Sequence, residues 1–387
     1  MSAYLDYNAT TPLDPRVCRA TKPWATERFG NASSRDHRFG WDAAEAVSEA
    51  RSSVADALGA GPVNTLLVSS ATEALNTVVR SYVGYDRWAQ KTIVTCATEH
   101  EAVLAPCRGL CALTGVGLHI VAVDDAGHVD LEQLARLLRA SPGALVAFMA
   151  ANNETGTVHP VREIASLVHA ADGLFLCDTT QAFGRCAIDV SSDGIDFATV
   201  SAHKIHGPQG VGALVAGRSL TDELQPLILG GGQEQGLRGG TPNVAGIVGL
   251  GEACRIARDE LDQSTSRIGV LRDRLEDGIV AQTKDVWING DRRRRLCNTS
   301  NIGFRGVDAR TLIRDMHDVA VSTRSACSSG SAGPSHVLKA IGLSDEDAYS
   351  CVRFSLGRFT TQDEIDYTIG KVVASAHKLV RAKSVRR

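Results

Sequence analysis

A lysine closes the run Ser201-Ala202-His203-Lys204, which follows an apolar, β-branched stretch and leads into Gly207-Pro208-Gln209-Gly210-Val211-Gly212. A lysine at a strand end beside a glycine-rich turn suits Schiff-base chemistry, because a packed, partly desolvated site keeps its amine neutral enough to attack an aldehyde. A surface lysine beside an ordinary turn fits the segment as well. Asp178 ends the stretch Leu174-Phe175-Leu176-Cys177. A carboxylate there can face a pyridinium nitrogen and keep it protonated, making the ring an electron sink. Gln181, just downstream, could donate to a ring oxygen. The competing reading of Asp178 is a helix N-cap. Only one strand separates Asp178 from Lys204, so both can reach the carboxyl edge of one sheet, where open α/β folds bind ligands.

Three further segments carry candidate chemistry. In Ser69-Ser70-Ala71-Thr72-Glu73-Ala74 a strand runs into a helix, and small residues at a helix start leave backbone N–H groups free for phosphate. Ala71 and Thr72 are the candidates; a plain cap by Ser70 or Thr72 is the alternative. Cys327 sits in Ser325-Ala326-Cys327-Ser328-Ser329-Gly330-Ser331-Ala332-Gly333-Pro334, a run of small, turn-forming residues that reads as an exposed, mobile loop. Exposed free thiols are generally avoided, so one placed there suggests use, against the alternative of an incidental thiol. His100, in Glu99-His100-Glu101, follows a strand and could stack on a ring or move protons, although a core or loop histidine fits too.

These residues need a sheet to bring them together. Strands are expected at 65–69, 92–96, 119–123, 144–150, 174–178, 197–201 and 212–216, with helical patterns between them at 43–58, 131–138 and 162–171. Such alternation implies an α/β chain with a mostly parallel seven-stranded sheet covered on both faces. After about Gly251 the pattern changes. Residues 256–282 read as one long charged helix leading into a smaller α+β unit. The expected division is a large domain at 14–255 and a small one at 1–13 with 256–387. The basic end, 381–387, reads as a solvated tail.

The 387 residues are 43% hydrophobic and 22% charged, with a net charge of -3, which argues against direct nucleic-acid binding. No apolar run reaches the roughly 18 residues that span a bilayer, and no signal-like start is present, so a cytoplasmic protein is expected. The ten cysteines are expected to be reduced, mostly small buried hydrophobes. Cys107 and Cys111 lack a second ligand pair, so no metal site is expected.

Taken together, the segments resemble the cysteine desulfurases, the NifS/IscS-like branch of the class V aminotransferase superfamily. The likeness runs from Tyr4 to about Thr368 through Tyr4-Leu-Asp-Tyr-Asn-Ala-Thr-Thr-Pro12, Gly30-Asn-Ala-Ser-Ser34, Ala71-Thr-Glu73, Thr98-Glu-His100, Asn152-Asn-Glu-Thr-Gly156, Asp178-Thr-Thr-Gln181, His203-Lys-Ile-His-Gly-Pro208, Gly230-Gly-Gly-Gln-Glu234, Arg238-Gly-Gly-Thr241 and Arg353-Phe-Ser-Leu-Gly-Arg358. The resemblance implies a fold-type I homodimer that binds pyridoxal 5'-phosphate on Lys204. Asp178 would pair with the ring nitrogen and Gln181 with the ring hydroxyl. Ala71, Thr72, Ser201 and His203 would hold the phosphate, with Thr241 reaching in from the partner subunit. His100 would stack on the ring and act in acid–base steps, and Asn153 would lie near it. Arg353, helped by Asn8, would bind the carboxylate of L-cysteine. Cys327 would take the sulfur as a persulfide and pass it to an acceptor protein, leaving alanine.

The Cys327 segment and its exit through Pro334-Ser-His-Val-Leu338 look like the long-loop group of the family. Ser70 and Ala202 stand where relatives often carry glycine, and Arg324 stands where many carry glycine beside the cysteine. Arg324 either favours the Cys327 thiolate or is a plain solvent-facing arginine. The acceptor is left open among iron–sulfur assembly, tRNA thiolation and DNA phosphorothioation. A selenocysteine lyase is the same-class alternative. An inactive scaffold or persulfide relay is the other-class alternative, disfavoured because Lys204, Asp178 and Cys327 are all present.

Overall fold

A computed structural model describes residues 1–84, 91–323 and 333–384. Its strands are β1 (Ala3–Tyr4), β2 (Thr65–Val68), β3 (Thr92–Cys96), β4 (Gly117–Val121), β5 (Leu145–Met149), β6 (Leu174–Asp178), β7 (Phe197–Ser201), β8 (Gly212–Ala216), β9 (Val286–Asn289), β10 (Thr299–Phe304), β11 (Val319–Ala320) and β12 (Cys351–Ser355). Seven of them form one sheet in the order β2-β8-β7-β6-β5-β3-β4. Strands β4, β3, β5, β6 and β7 are parallel; β8 is antiparallel to both β7 and β2, so β2 runs with the parallel set again.

The helices are α1 (Pro15–Thr26), α2 (Arg38–Ala57), α3 (Ala71–Gly84), α4 (Glu101–Thr114), α5 (Leu131–Ala140), α6 (Val161–His169), α7 (Leu220–Glu223), α8 (Val244–Asp259), α9 (Leu261–Gln282), α10 (Ala309–Asp315), α11 (His336–Ala340), α12 (Asp345–Tyr349) and α13 (Gln362–Ser384). The central strands are buried throughout, and their alternate residues go to opposite faces. Val146, Phe148, Phe175 and Cys177 join a cluster with α2, α5, α6 and α8. Leu145, Ala147, Leu174 and Leu176 join a second cluster with α3 and α4. A third cluster draws Leu5 together with α9, α13, β10 and β12, and there β10 pairs antiparallel with β9 and β12.

The expected mostly parallel seven-stranded sheet is present, with local differences. The strand expected at 119–123 starts and ends earlier, because Thr92–Cys96 pairs residue by residue with Gly117–Val121, while Val123 turns away to bridge Val129. The single helix expected over 256–282 is two helices that break at Glu260, whose φ of -107° and ψ of 11° leave the helical region. The Glu260 carboxylate is held there by Arg16 and Arg358. The expected tail is helical as far as Ser384.

Candidate active site

Strands β2, β3, β5, β6 and β7 turn their carboxyl ends to one edge of the sheet. That edge carries nearly every residue singled out in the sequence. Ala71 and Thr72 follow β2, His100 follows β3, Asn153 follows β5, Asp178 ends β6, and Ser201, His203 and Lys204 close β7. With Gln181, and with Asn8 and Arg353 from outside the sheet, they line one cavity of about 150 Å³.

The start of α3 is a cap and an open anion site at once. Ser70 Oγ accepts from the Glu73 amide at 3.2 Å, and Glu73 returns its carboxylate to the Ser69 amide at 2.7 Å and to the Ser69 hydroxyl. Arg238 holds the other carboxylate oxygen at 3.1 Å. The amides of Ala71 and Thr72 have no acceptor among the described residues, which leaves them for an anion. The two readings of Ser70-Ala71-Thr72 are therefore compatible.

Asp178 is buried, and its Oδ1 accepts from the Thr199 hydroxyl and the Thr180 amide, both at 3.0 Å. Its cap-like bond thus coexists with a place on the cavity wall. His100 caps α4: its Nδ1 accepts from the Ala102 amide at 3.0 Å, so in the neutral ring Nε2 carries the proton. Burial pulls the His100 pKa down, opposed by Asp178 and reinforced by Lys204. Burial, with Lys204 adding to it, likewise takes His203 down to about 4. Beside them Glu99 is fully buried, and burial raises its pKa well above the usual range, with Asp178 adding to the effect. One Glu99 oxygen accepts from the Met149 amide at 2.8 Å.

Lys204 donates to the carbonyls of Asn8 at 2.5 Å and Ala9 at 2.8 Å. The Gln181 Nε2 donates to the same Asn8 carbonyl at 3.1 Å. The turn that aims Lys204 is tied down by the N-terminal segment. Thr11 bonds the His203 carbonyl through both N–H and hydroxyl, and its hydroxyl accepts from the His206 amide at 2.8 Å. His206 itself holds a left-handed φ of 66°, a strained conformation for a residue other than glycine that persists where its surroundings over-determine it.

Arg353, on β12, is 1% exposed. It donates to Asp6 Oδ1 at 2.6 Å and to the Asn153 carbonyl at 3.1 Å. Asn8 bonds that same carbonyl at 3.1 Å and Thr299 at 2.8 Å. Thr241 is exposed and does not line this cavity. Cys327 and Arg324 lie outside the described residues. The nine described cysteines are all free. Burial pushes Cys96, Cys107 and Cys351 up to about 12, which keeps them as thiols. Cys18 departs from the expected pattern and is exposed.

Several supporting residues carry no sequence signal that would have found them: Thr199 and Thr180 on Asp178, Asp6 on Arg353, and Glu99. Apart from the local Thr180 amide, their roles arise from pairings between distant segments.

The donor set suits a ring that carries an aldehyde, an adjacent hydroxyl and a phosphate. The Lys204 amine and the Gln181 amide meet at one carbonyl, as neighbouring aldehyde and hydroxyl groups require. Free amides stand ready for the phosphate, and a buried carboxylate faces the same cavity. Pyridoxal 5'-phosphate has these groups.

Comparison with known proteins agrees. The Aminotransferase class-V model matches residues 3–368. Cysteine desulfurase IscS of Rickettsia prowazekii (strain Madrid E) is 41% identical over 378 residues, covering 98% of this chain and 92% of that protein. A solved NifS-like protein superposes with a TM-score of 0.89 at 34% identity, covering 97% of this chain and 99% of its own. A structure of SspA in complex with cysteine gives a TM-score of 0.81 at 31% identity, covering 93% and 100%. Members of this family use pyridoxal 5'-phosphate, and the chain belongs to it: it is a class-V aminotransferase-family protein of the NifS/IscS-like cysteine desulfurase branch.

Proposed function

We propose that this desulfurase takes L-cysteine into the cavity between Lys204 and Arg353, removes its sulfur as a persulfide on Cys327, and releases L-alanine. The convergence of Lys204, Asp178 and Arg353 on one cavity carries this reading. Similarity to a relative solved with cysteine supports the substrate.

When bound, pyridoxal phosphate supplies an aldehyde for amines and a protonated ring that accepts electrons. The Ala71 and Thr72 amides, with Ser201 and His203, would hold its phosphate. Asp178 would keep the ring nitrogen protonated, Gln181 would donate to the ring hydroxyl, and His100 and Asn153 would flank the ring. Arg353, braced by Asp6 and by Asn8 through Asn153, would grip the substrate carboxylate. The Lys204 amine would take the α-proton. His100, neutral with its proton on Nε2, would serve in proton return. The Cys327 thiolate attacks the substrate sulfur; an S–S bond forms as the C–S bond breaks, and the C–S electron pair stays on carbon, which takes a proton. The balance is L-cysteine plus enzyme thiol giving L-alanine plus enzyme persulfide, with no outside oxidant.

The same reading includes a homodimer in which the exposed Thr241 completes the partner's phosphate site, a cytoplasmic location, and an acceptor protein that collects the sulfur for iron–sulfur assembly, tRNA thiolation or DNA phosphorothioation. It also includes the division into a large domain at 14–255 and a small domain at 1–13 with 256–387, supported by the separate apolar cluster around α9, α13 and β12. Among the described residues no helix is long and apolar enough to cross a membrane. The test is the mass of the Cys327 peptide under non-reducing conditions after incubation with L-cysteine. A gain of one sulfur atom is expected; an unchanged mass while alanine accumulates would refute the persulfide step.

A further inference from the structure

The orientation of Gln181 is imposed from behind the cavity. Arg185 donates through Nη1 to the Gln181 carbonyl at 2.8 Å and to Gln181 Oε1 at 3.0 Å, and through Nη2 to the Lys204 carbonyl at 3.2 Å. A guanidinium has donors only, so it can face only the oxygen of a carboxamide. With Oε1 taken, the Gln181 NH2 group must point away from Arg185, and it donates to the Asn8 carbonyl at the place where the Lys204 amine also ends. All three Arg185 partners are neutral carbonyl oxygens, and among the described residues no carboxylate pairs with it. Its charge is therefore not cancelled locally, and an arginine stays protonated at any working pH. The short turn that presents it is fixed by bonds from the Arg185 and Cys186 amides to the Ala182 carbonyl.

We infer that Arg185 is a positioning residue, which locks the Gln181 amide toward the cofactor's ring oxygen and sets the pH at which the cofactor held on Lys204 gives up its proton. This rests on the proposed placement of Gln181 beside that oxygen. Two effects act in one direction. A nearby positive charge disfavours the protonated cofactor, and a firm N–H donor at the ring oxygen weakens that oxygen's hold on the shared proton. Removing Arg185 weakens both, so the cofactor should keep its proton to higher pH.

The test is a pH titration of the visible absorbance of the purified, cofactor-loaded protein for wild type, Arg185→Met, Gln181→Ala and the double variant. Arg185→Met is expected to raise the midpoint by about one pH unit, a tenfold change in proton affinity. In the Gln181→Ala background the same substitution should shift it less, because the charge effect remains there and the effect through the Gln181 amide does not. A wild-type midpoint in Arg185→Met, or an undiminished shift in the double variant, would overturn the inference. If Arg185→Met does not fold, Arg185→Lys, which loses the two-pronged grip, is expected to raise the midpoint by less, and an unmoved midpoint there would count equally against it. A colourless wild type would sink the placement of the cofactor itself, and this inference with it.

Discussion

Lys204 is aimed by its neighbours. Its turn is stitched to Thr11, and its amine already lies against two carbonyls of the N-terminal segment. Lys204→Ala is therefore expected to bind pyridoxal phosphate without a covalent link, so borohydride reduction should leave no adduct on the protein; an adduct at another lysine would contradict the assignment. Asp178→Asn keeps the shape but loses the charge, and should lower kcat by about 100-fold or more, the scale of losing one preorganised electrostatic group. Arg353→Lys exchanges a planar fork for a point charge and should raise KM for L-cysteine about tenfold through loss of a charged hydrogen bond. The sequence made Lys204 and Asp178 legible because residue type and strand-end position coincide there. Thr199, Glu99, Asp6 and Arg185 were not legible. Thr199, Glu99 and Asp6 act through partners that only the fold brings near, such as the Thr199 hydroxyl reaching Asp178 from the neighbouring strand, and Arg185 depends on the turn that brings its guanidinium back to Gln181.

Strand ends and helix starts do the positioning at the scale of elements. The first turn of α3 depends on Glu73, a nearly buried carboxylate that serves Ser69 and Arg238 together. Glu73→Ala leaves both donors without their acceptor and should cost about 2–4 kcal/mol of stability. Denaturant unfolding would measure it, and a loss below 1 kcal/mol would mean the pair is peripheral. The apolar strands β3, β6, β7 and β8 were read from the sequence with their observed bounds, since a fully buried strand is a short apolar run bounded by turns. Edge strand β4 was misplaced because its outer residues, His119 and Ile120, are exposed and its limits are set by pairing to β3 rather than by burial. The break at Glu260 was invisible because the amphipathic pattern runs through it. What ends α8 is a tertiary ion cluster with Arg16 and Arg358.

Across the whole molecule, burial takes three histidines, His159, His203 and His206, down to about 4. Their folded pKa values lie below the unfolded value near 6.5, so the unfolded chain binds more protons between those limits. Stability should therefore fall as pH drops from about 6.5 to 4, by on the order of 1 kcal/mol per pH unit for the buried His159 and by less for the partly exposed His203. His159, whose two ring nitrogens have no hydrogen-bond partner among the described residues, is the clearest case. His159→Leu should flatten the slope in denaturation curves taken across that range, and an unchanged slope would mean that other groups govern acid unfolding.

Desulfuration itself is most directly tested by alanine released from L-cysteine, followed with a reductant present, for wild type and Cys327→Ser at equal cofactor loading. The account predicts alanine and sulfide from wild type, and neither from a Cys327→Ser protein that remains yellow. A yellow wild type that makes no alanine would contradict it, as would a Cys327→Ser variant that makes alanine at the wild-type rate.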